Sequence, residues 1–295
     1  MIPVYISVGI SAAIWLYVIY RNDRFEPEPV GWILLVGIAG GVMSAIPASV
    51  LNTAAAVASG VTSGVLSGSE RAPASGLFLF SLFVGFNEEA MKAAVAVFIL
   101  KRLREFNEPV DGLIYSMTLA LGFAAFENIE YTVGGGLGVL IVRSFTSVPL
   151  HIGLASIWGT GIARAKFYRG ERYLKTVTPY VVTAALLHTL YNYVQFINAG
   201  NPAVLLFAMV FAIAVIFYAS RKLRFYLRES PFRKAGFCPS CGTKNGFWAR
   251  YCKSCGSYIA SDYCDLCPSC GSRCRAGSGF CRHCGEPLPG PHPPL

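Results

Sequence analysis

Two adjacent carboxylates, Glu88 and Glu89, and a lysine, Lys92, interrupt an apolar run from Gly76 to Leu100. On a helix Lys92 lies within reach of both acids, so it reads as their counter-ion. A second apolar run carries Glu127, four residues past Phe123 and four before Tyr131, with Asn128 beside it. Two further runs hold His151 and the pair His188 and Asn192, the latter one helical turn apart. Of the four histidines in the chain, only these two precede the C-terminal tail. An ionised group at bilayer depth costs about 3 kcal/mol or more, so such residues face a protein interior and mark function.

This set could hydrolyse a peptide bond in two ways. In one, Glu88 or Glu89 takes a proton from water, His188 and Asn192 stabilise the oxyanion, and Glu127 or His151 orients the water. In the other, His and Glu side chains from several helices hold Zn2+ and leave one glutamate as base. Blander readings stand beside these: His151 as a hydrogen-bonded core residue, Asn192 as a helix–helix hydrogen bond, Glu130 as a solvated helix end. Arg143 reads as snorkelling to the outer interface, and Trp158 and Tyr191 as packing residues. Three acids, two imidazoles and an amide at one depth nevertheless read as a site. No Ser or Cys nucleophile motif appears, and the apolar runs contain no cysteine.

The elements that must position these residues are membrane spans. The chain of 295 residues is 54% hydrophobic and 14% charged, against about 25% charged in a soluble domain, and its mean hydropathy is +0.50. Seven apolar stretches, near residues 2–20, 31–58, 76–100, 110–133, 137–163, 177–198 and 203–219, are each near or above the ~20 residues a crossing needs. The expected fold is an all-α polytopic membrane protein of seven transmembrane helices. Lys and Arg cluster after the first, third, fifth and seventh stretches, and the loops between carry almost none. The positive-inside rule then places the N-terminus outside and the tail in the cytoplasm. The first stretch lacks the basic start and small-residue end of a cleaved signal. At 1.5 Å per residue, Glu88, His151 and His188 fall near mid-membrane and Glu127 somewhat nearer the outer face. The expected divisions are a membrane domain over 1–220, a basic linker over 221–235, a cysteine-rich unit over 236–286 and a proline-rich end over 287–295.

The tail from Arg221 carries all ten cysteines and twelve Lys/Arg against four Asp/Glu, so it holds nearly all of the net charge of +9. That excess suits anionic lipid or an acidic partner. Cys238, Cys241, Cys252 and Cys255 repeat 29 residues later as Cys267, Cys270, Cys281 and Cys284, with Tyr251 and Phe280 also in register. Paired CxxC knuckles at this spacing predict two structural zinc sites of four cysteines each, every knuckle closed by a glycine. Disulfides compete poorly in a reducing compartment. Cys264 and Cys274 are left over, with Cys264/Cys267/Cys270/Cys274 as an alternative second set. The ribbons suit a cytoplasmic protein partner better than nucleic acid.

Glu88-Glu89-x-x-Lys92, Phe123-x-x-x-Glu127-Asn128, His151 and His188-x-x-x-Asn192, in this order on successive spans, resemble the PrsW family of intramembrane proteases, relatives of the CAAX prenyl endopeptidases and bacterial CPBP proteins. The tail resembles a double zinc ribbon. The first resemblance covers about residues 1–220 and implies a helical bundle with a water-filled catalytic chamber. It implies Glu88 as the activator of water, Glu127 as its positioner where prenyl endopeptidases use His, and His188 and Asn192 as oxyanion stabilisers. It leaves open a metal-dependent or a glutamic mechanism. It implies a membrane-associated protein substrate such as an anti-sigma factor, cut on its outer side. Two other classes remain at this point: a transporter, since intramembrane acids also line ion paths, and a non-catalytic sensor or scaffold working through its zinc ribbons. No repeat between the halves speaks for the transporter.

Overall fold

The computed structural model describes residues 2–24, 26–61, 72–167, 173–199 and 201–230, and in the tail 238, 240–241, 243, 245, 251–257, 263–267, 269–270, 273–275, 280–281 and 283–287. Parts of the expected Ser59–Ser75 loop, the basic flank after the fifth stretch, the 221–235 linker and the proline-rich end lie outside the described residues.

Helices occupy all seven apolar stretches. They are α1 (Ile2–Tyr20), α2 (Val30–Leu35) continuing through a π turn (Val36–Gly40) into α3 (Gly41–Ser59), α4 (Ala74–Leu100), α5 (Asp111–Gly135), α6 (Leu137–Phe145), α7 (Ser147–Phe167), α8 (Tyr173–Ile197) and α9 (Ala203–Glu229). Among the described residues five segments are long and apolar enough to cross a membrane: Ile2–Tyr20, Val30–Ser59, Asp111–Gly135, Leu137–Phe167 and Ala203–Glu229. The two long helices outside that set, α4 and α8, are those that carry Glu88, Glu89 and Lys92 and His188 and Asn192. The residues that suggest chemistry are the ones that dilute the hydropathy.

The fifth stretch departs from expectation. It is broken at Thr146, whose φ of −120° and ψ of −68° leave the helical region and end α6. Helix α7 restarts at Ser147 with Pro149 in its first turn, where a missing N–H costs nothing.

Helices α5 and α7 are the most enclosed, and α1, α3, α4, α8 and α9 surround them. The outer faces are apolar: Ile6, Ile10 and Ile14 of α1 and Val210, Ile213 and Phe217 of α9 are more than half exposed, as lipid contact requires. With lipid outside, helix association rests on close packing and small residues rather than on water exclusion. The tightest contact is between α5 and the π turn. A Cβ on Gly122 would sit 1.8 Å from the Gly37 carbonyl oxygen, and one on Gly41 would sit 2.5 Å from the Gly122 backbone.

In the tail, the four sulfurs of each set draw together. Sγ separations are 3.6 Å for Cys238–Cys255 and Cys241–Cys252, and 3.5 and 3.6 Å for Cys267–Cys284 and Cys270–Cys281. A tetrahedral ion with Zn–S bonds of about 2.3 Å requires edges of roughly 3.8 Å, so both sets fit zinc. Gly256 and Gly285, with φ of +70° and +73°, close the second knuckle of each set in a conformation glycine adopts freely. The second site is Cys267/Cys270/Cys281/Cys284, not the alternative with Cys264 and Cys274. Those two lie instead on antiparallel strands β1 (Tyr263–Leu266) and β2 (Arg273–Arg275). The second ribbon rests on the membrane bundle, with the Phe280 ring edge-on to Phe167 at 5.6 Å.

Gly122→Ala is predicted to cost roughly 3 kcal/mol or more by overpacking, and Gly138→Ala, with open space at its Cβ, to cost little. Thermal unfolding in detergent checks the pair. Equal midpoints would remove the α5–π-turn contact as a determinant of the fold.

Candidate active site

Gly85, one turn before the acid pair, sets the distance between α4 and α8. A Cβ there would lie 2.7 Å from the Ala185 carbonyl oxygen. This approach brings Glu89 Oε1 to 3.0 Å from His188 Nδ1 on α8. Lys92, on the same face of α4, places Nζ 2.6 Å from the same Oε1. Trp158 of α7 donates its indole N–H to Glu89 Oε2 at 2.9 Å. Glu89 and Lys92 are fully buried, so this carboxylate, with three donors on two oxygens, is a saturated anchor. Lys92 is its counter-ion, as the spacing suggested. It also lies 3.0 Å from His151 Nδ1 and 4.4 Å from the centre of the Phe123 ring.

Glu88 is different. Its Oε1 accepts from Asn52 at 3.0 Å, and Asn52 is itself held by Asn87 at 2.8 Å. Its Oε2 is buried without a hydrogen-bond partner, 3.8 Å from His188 Nε2 and 3.7 Å from Lys92 Nζ. The two imidazoles stand edge to face with centres 5.2 Å apart. Glu88, His151 and His188, all buried, can each offer a ligand atom within 4.8 Å of the others. Three buried protein ligands of this kind are the donor set of a catalytic zinc, whose fourth position takes water or substrate. The carboxylate of Glu89 behind His188 Nδ1 is the outer partner such a histidine uses to turn its other nitrogen to the ion.

Glu127 closes the other side. Its Oε2 lies 3.1 Å from His151 Nε2 and accepts from Arg143 Nη2 at 2.7 Å. Arg143 Nε donates to Asn128 Oδ1 at 2.7 Å, and the guanidinium covers Tyr131 at 3.9 Å. Arg143 therefore does not reach outward as its position suggested. On α6, ahead of the break at Thr146, the arginine points into the site instead. Glu127 remains 15% exposed, the most open of the acids.

The structure thus gathers Glu88, Glu89, Glu127, His151 and His188, with Lys92, Phe123 and Asn128 in support. Asn192 is half-buried, and among the described residues no hydrogen bond ties it to the cluster. Sequence reasoning missed Asn52 and Asn87 and assigned Trp158 and Arg143 to other roles. Amides inside apolar helices were a legible signal. The Trp158 contact was not, because tryptophan is an ordinary packing residue in such a helix.

Residues 28–219 match the family described as "PrsW family intramembrane metalloprotease", and residues 238–285 match "Double zinc ribbon". The chain is 28% identical over 190 residues to "Protease PrsW" of Bacillus subtilis (strain 168), covering 64% of this chain and 81% of that protein. It is 31% identical over 163 residues to "Protease PrsW" of Geobacillus kaustophilus (strain HTA426), covering 55% of this chain and 67% of that protein. No solved structure matches the chain.

The division of labour between the adjacent acids is testable. Lys92→Met, which leaves Glu89 with its charge uncompensated, is predicted to destabilise the protein by about 3–5 kcal/mol. Glu88→Gln, whose Asn52 contact survives, is predicted to melt close to the parent. Thermal unfolding of both in one detergent decides this, and a large loss for Glu88→Gln alone would reverse the assignment.

Proposed function

The chain belongs to the PrsW family of intramembrane metalloproteases, and we propose that Glu88, His151 and His188 hold its catalytic metal ion. It is a multi-pass integral membrane endopeptidase, and its substrate is a protein in the bilayer. The observation that carries the metal assignment is the convergence of these three buried side chains around the unpartnered Glu88 Oε2.

Bound there, Zn2+ would polarise the scissile carbonyl and acidify the attacking water. The chain's own residues do the rest. Glu89, fixed by Lys92 and Trp158, holds the His188 Nδ1–H and so presents Nε2 to the site. Glu127, gripped by Arg143, faces the open side and accepts the proton of the water before passing it to the leaving amine. Asn192, one turn past His188, completes the oxyanion site by rotating inward. A second reading has its own support: an unpartnered buried carboxylate oxygen at Glu88 also suits a metal-free glutamic base.

In this proposal all seven helical segments cross the membrane, with the N-terminus outside and the ribbons in the cytoplasm, as the Lys/Arg distribution favours. Residues 1–220 form the protease, 221–235 a basic linker, 236–286 the ribbons, where a cytoplasmic protein partner binds, and 287–295 a separate end. The substrate class is a membrane-anchored regulator such as an anti-sigma factor, cut toward its outer side.

Glu88→Gln and His188→Ala are each predicted to lower cleavage of a membrane-anchored reporter by about 100-fold or more in liposomes. Normal cleavage by either folded variant would remove that residue from the mechanism.

A further inference from the structure

Two asparagines lie beside Glu88 that the mechanism leaves without a role. Asn52 stands in the second half of α3, one turn past Ala48, and Asn87 stands on α4 immediately before Glu88. Both are half-buried. A side-chain amide in a membrane helix carries two donors and an acceptor that lipid cannot satisfy, so it turns to a neighbouring helix.

Their hydrogen bonds form a relay with one direction. Asn87 Nδ2 donates to the Ala48 carbonyl at 3.0 Å and to Asn52 Oδ1 at 2.8 Å. Asn52 Nδ2 donates to Glu88 Oε1 at 3.0 Å. The two ends are groups that only accept, a backbone carbonyl and an ionised carboxylate. Turning Asn87 over would set its oxygen against the Ala48 carbonyl. Turning Asn52 over would set two NH2 groups against each other and an oxygen against the carboxylate. The Ala48 carbonyl thus orients Asn87, Asn87 orients Asn52, and the relay delivers an N–H to Glu88 Oε1.

The contact between Asn87 and Ala48 already ties α4 to α3. The contact from Asn52 goes further, to the acid of the site whose other oxygen has no hydrogen-bond partner. With Oε1 held by Asn52, Oε2 is left 3.8 Å from His188 Nε2. A neutral amide holds the carboxylate without cancelling the charge a metal ion needs. Lys92, 3.7 Å from Oε2, is engaged more closely with Glu89 at 2.6 Å.

We propose that Asn52 is a positioning residue for the protease site, with Asn87 as its support. It occupies Glu88 Oε1 and so presents Oε2 alone to the metal ion. This deepens the reading that Glu88, His151 and His188 hold that ion, and it rests on that reading. Metal-ligating carboxylates are oriented by outer hydrogen bonds of this kind, and losing one weakens metal binding by about 10–100-fold. Through the relay α3, which supplies none of the three ligands, takes part in setting the site.

The test measures zinc per chain on the full protein in detergent, across buffers of falling free Zn2+. The parent is expected to step from three ions to two as the membrane ion leaves and the two ribbons keep theirs. His188→Ala identifies that step by lacking it. Asn52→Leu, close to asparagine in shape, moves the step to a free Zn2+ about 10–100-fold higher. Asn87→Leu moves it the same way by a smaller factor, because Asn52 then keeps its donor and loses what orients it. Thermal unfolding at the two-ion plateau separates this from a packing role, which would lower Tm and leave the step in place. An unchanged step in Asn52→Leu, or in Asn87→Leu where that variant alone folds, would overturn the inference and leave the metal reading intact. A parent that holds two ions throughout would overturn the metal reading, and the inference with it.

Discussion

The buried pair of Glu89 and Lys92 is the constraint the rest of the site depends on. Neither group is tolerable alone in a bilayer, and together they still leave hydrogen-bonding capacity to be filled. Filling it recruits the indole of Trp158 from α7 and the imidazole of His188 from α8. Three helices are thereby fixed in rotation about one carboxylate. Glu88, its neighbour in sequence, inherits a defined position without being consumed by the same contacts. An adjacent pair of acids can serve two purposes because successive helical positions point about 100° apart.

The two polar regions of the bundle solve the same electrostatic problem differently. At the centre each acid meets a cation or imidazole, as in Glu89 with Lys92 and Glu127 with Arg143. At the tail-side end Asp23 and Asp111 accept from backbone amides and Glu28 from Tyr115, with no Lys, Arg or His ion pair among the described residues. Small residues let the helices close over both regions. Without Gly85 and Gly122, α4 could not approach α8, nor the π turn approach α5.

Much of this was legible in the sequence because a membrane protein displays its exceptions. The seven apolar stretches, the Glu88-Glu89-x-x-Lys92 spacing and the 29-residue cysteine repeat each follow from local rules, and helices and ribbons appear there. What was not legible depends on rotation and tilt between helices. Neither the break at Thr146 nor the inward contacts of Arg143 could be read from an apolar run containing only Pro149 as a signal. The inequality of Glu88 and Glu89 is set by which of them meets Trp158, a contact between residues 69 apart. Asn192 shows the converse limit: its spacing from His188 puts it on the right face without bringing it into the hydrogen-bonded network.

The most direct test is the zinc content of the purified full chain, because the structure holds three sets of ligands, two of four cysteines and one of Glu88, His151 and His188. The account predicts three zinc ions per chain, falling to two in His188→Ala while the protein stays folded. Two ions in an active parent, unchanged in that variant, would contradict the metal site and leave Glu88 acting as a glutamic base.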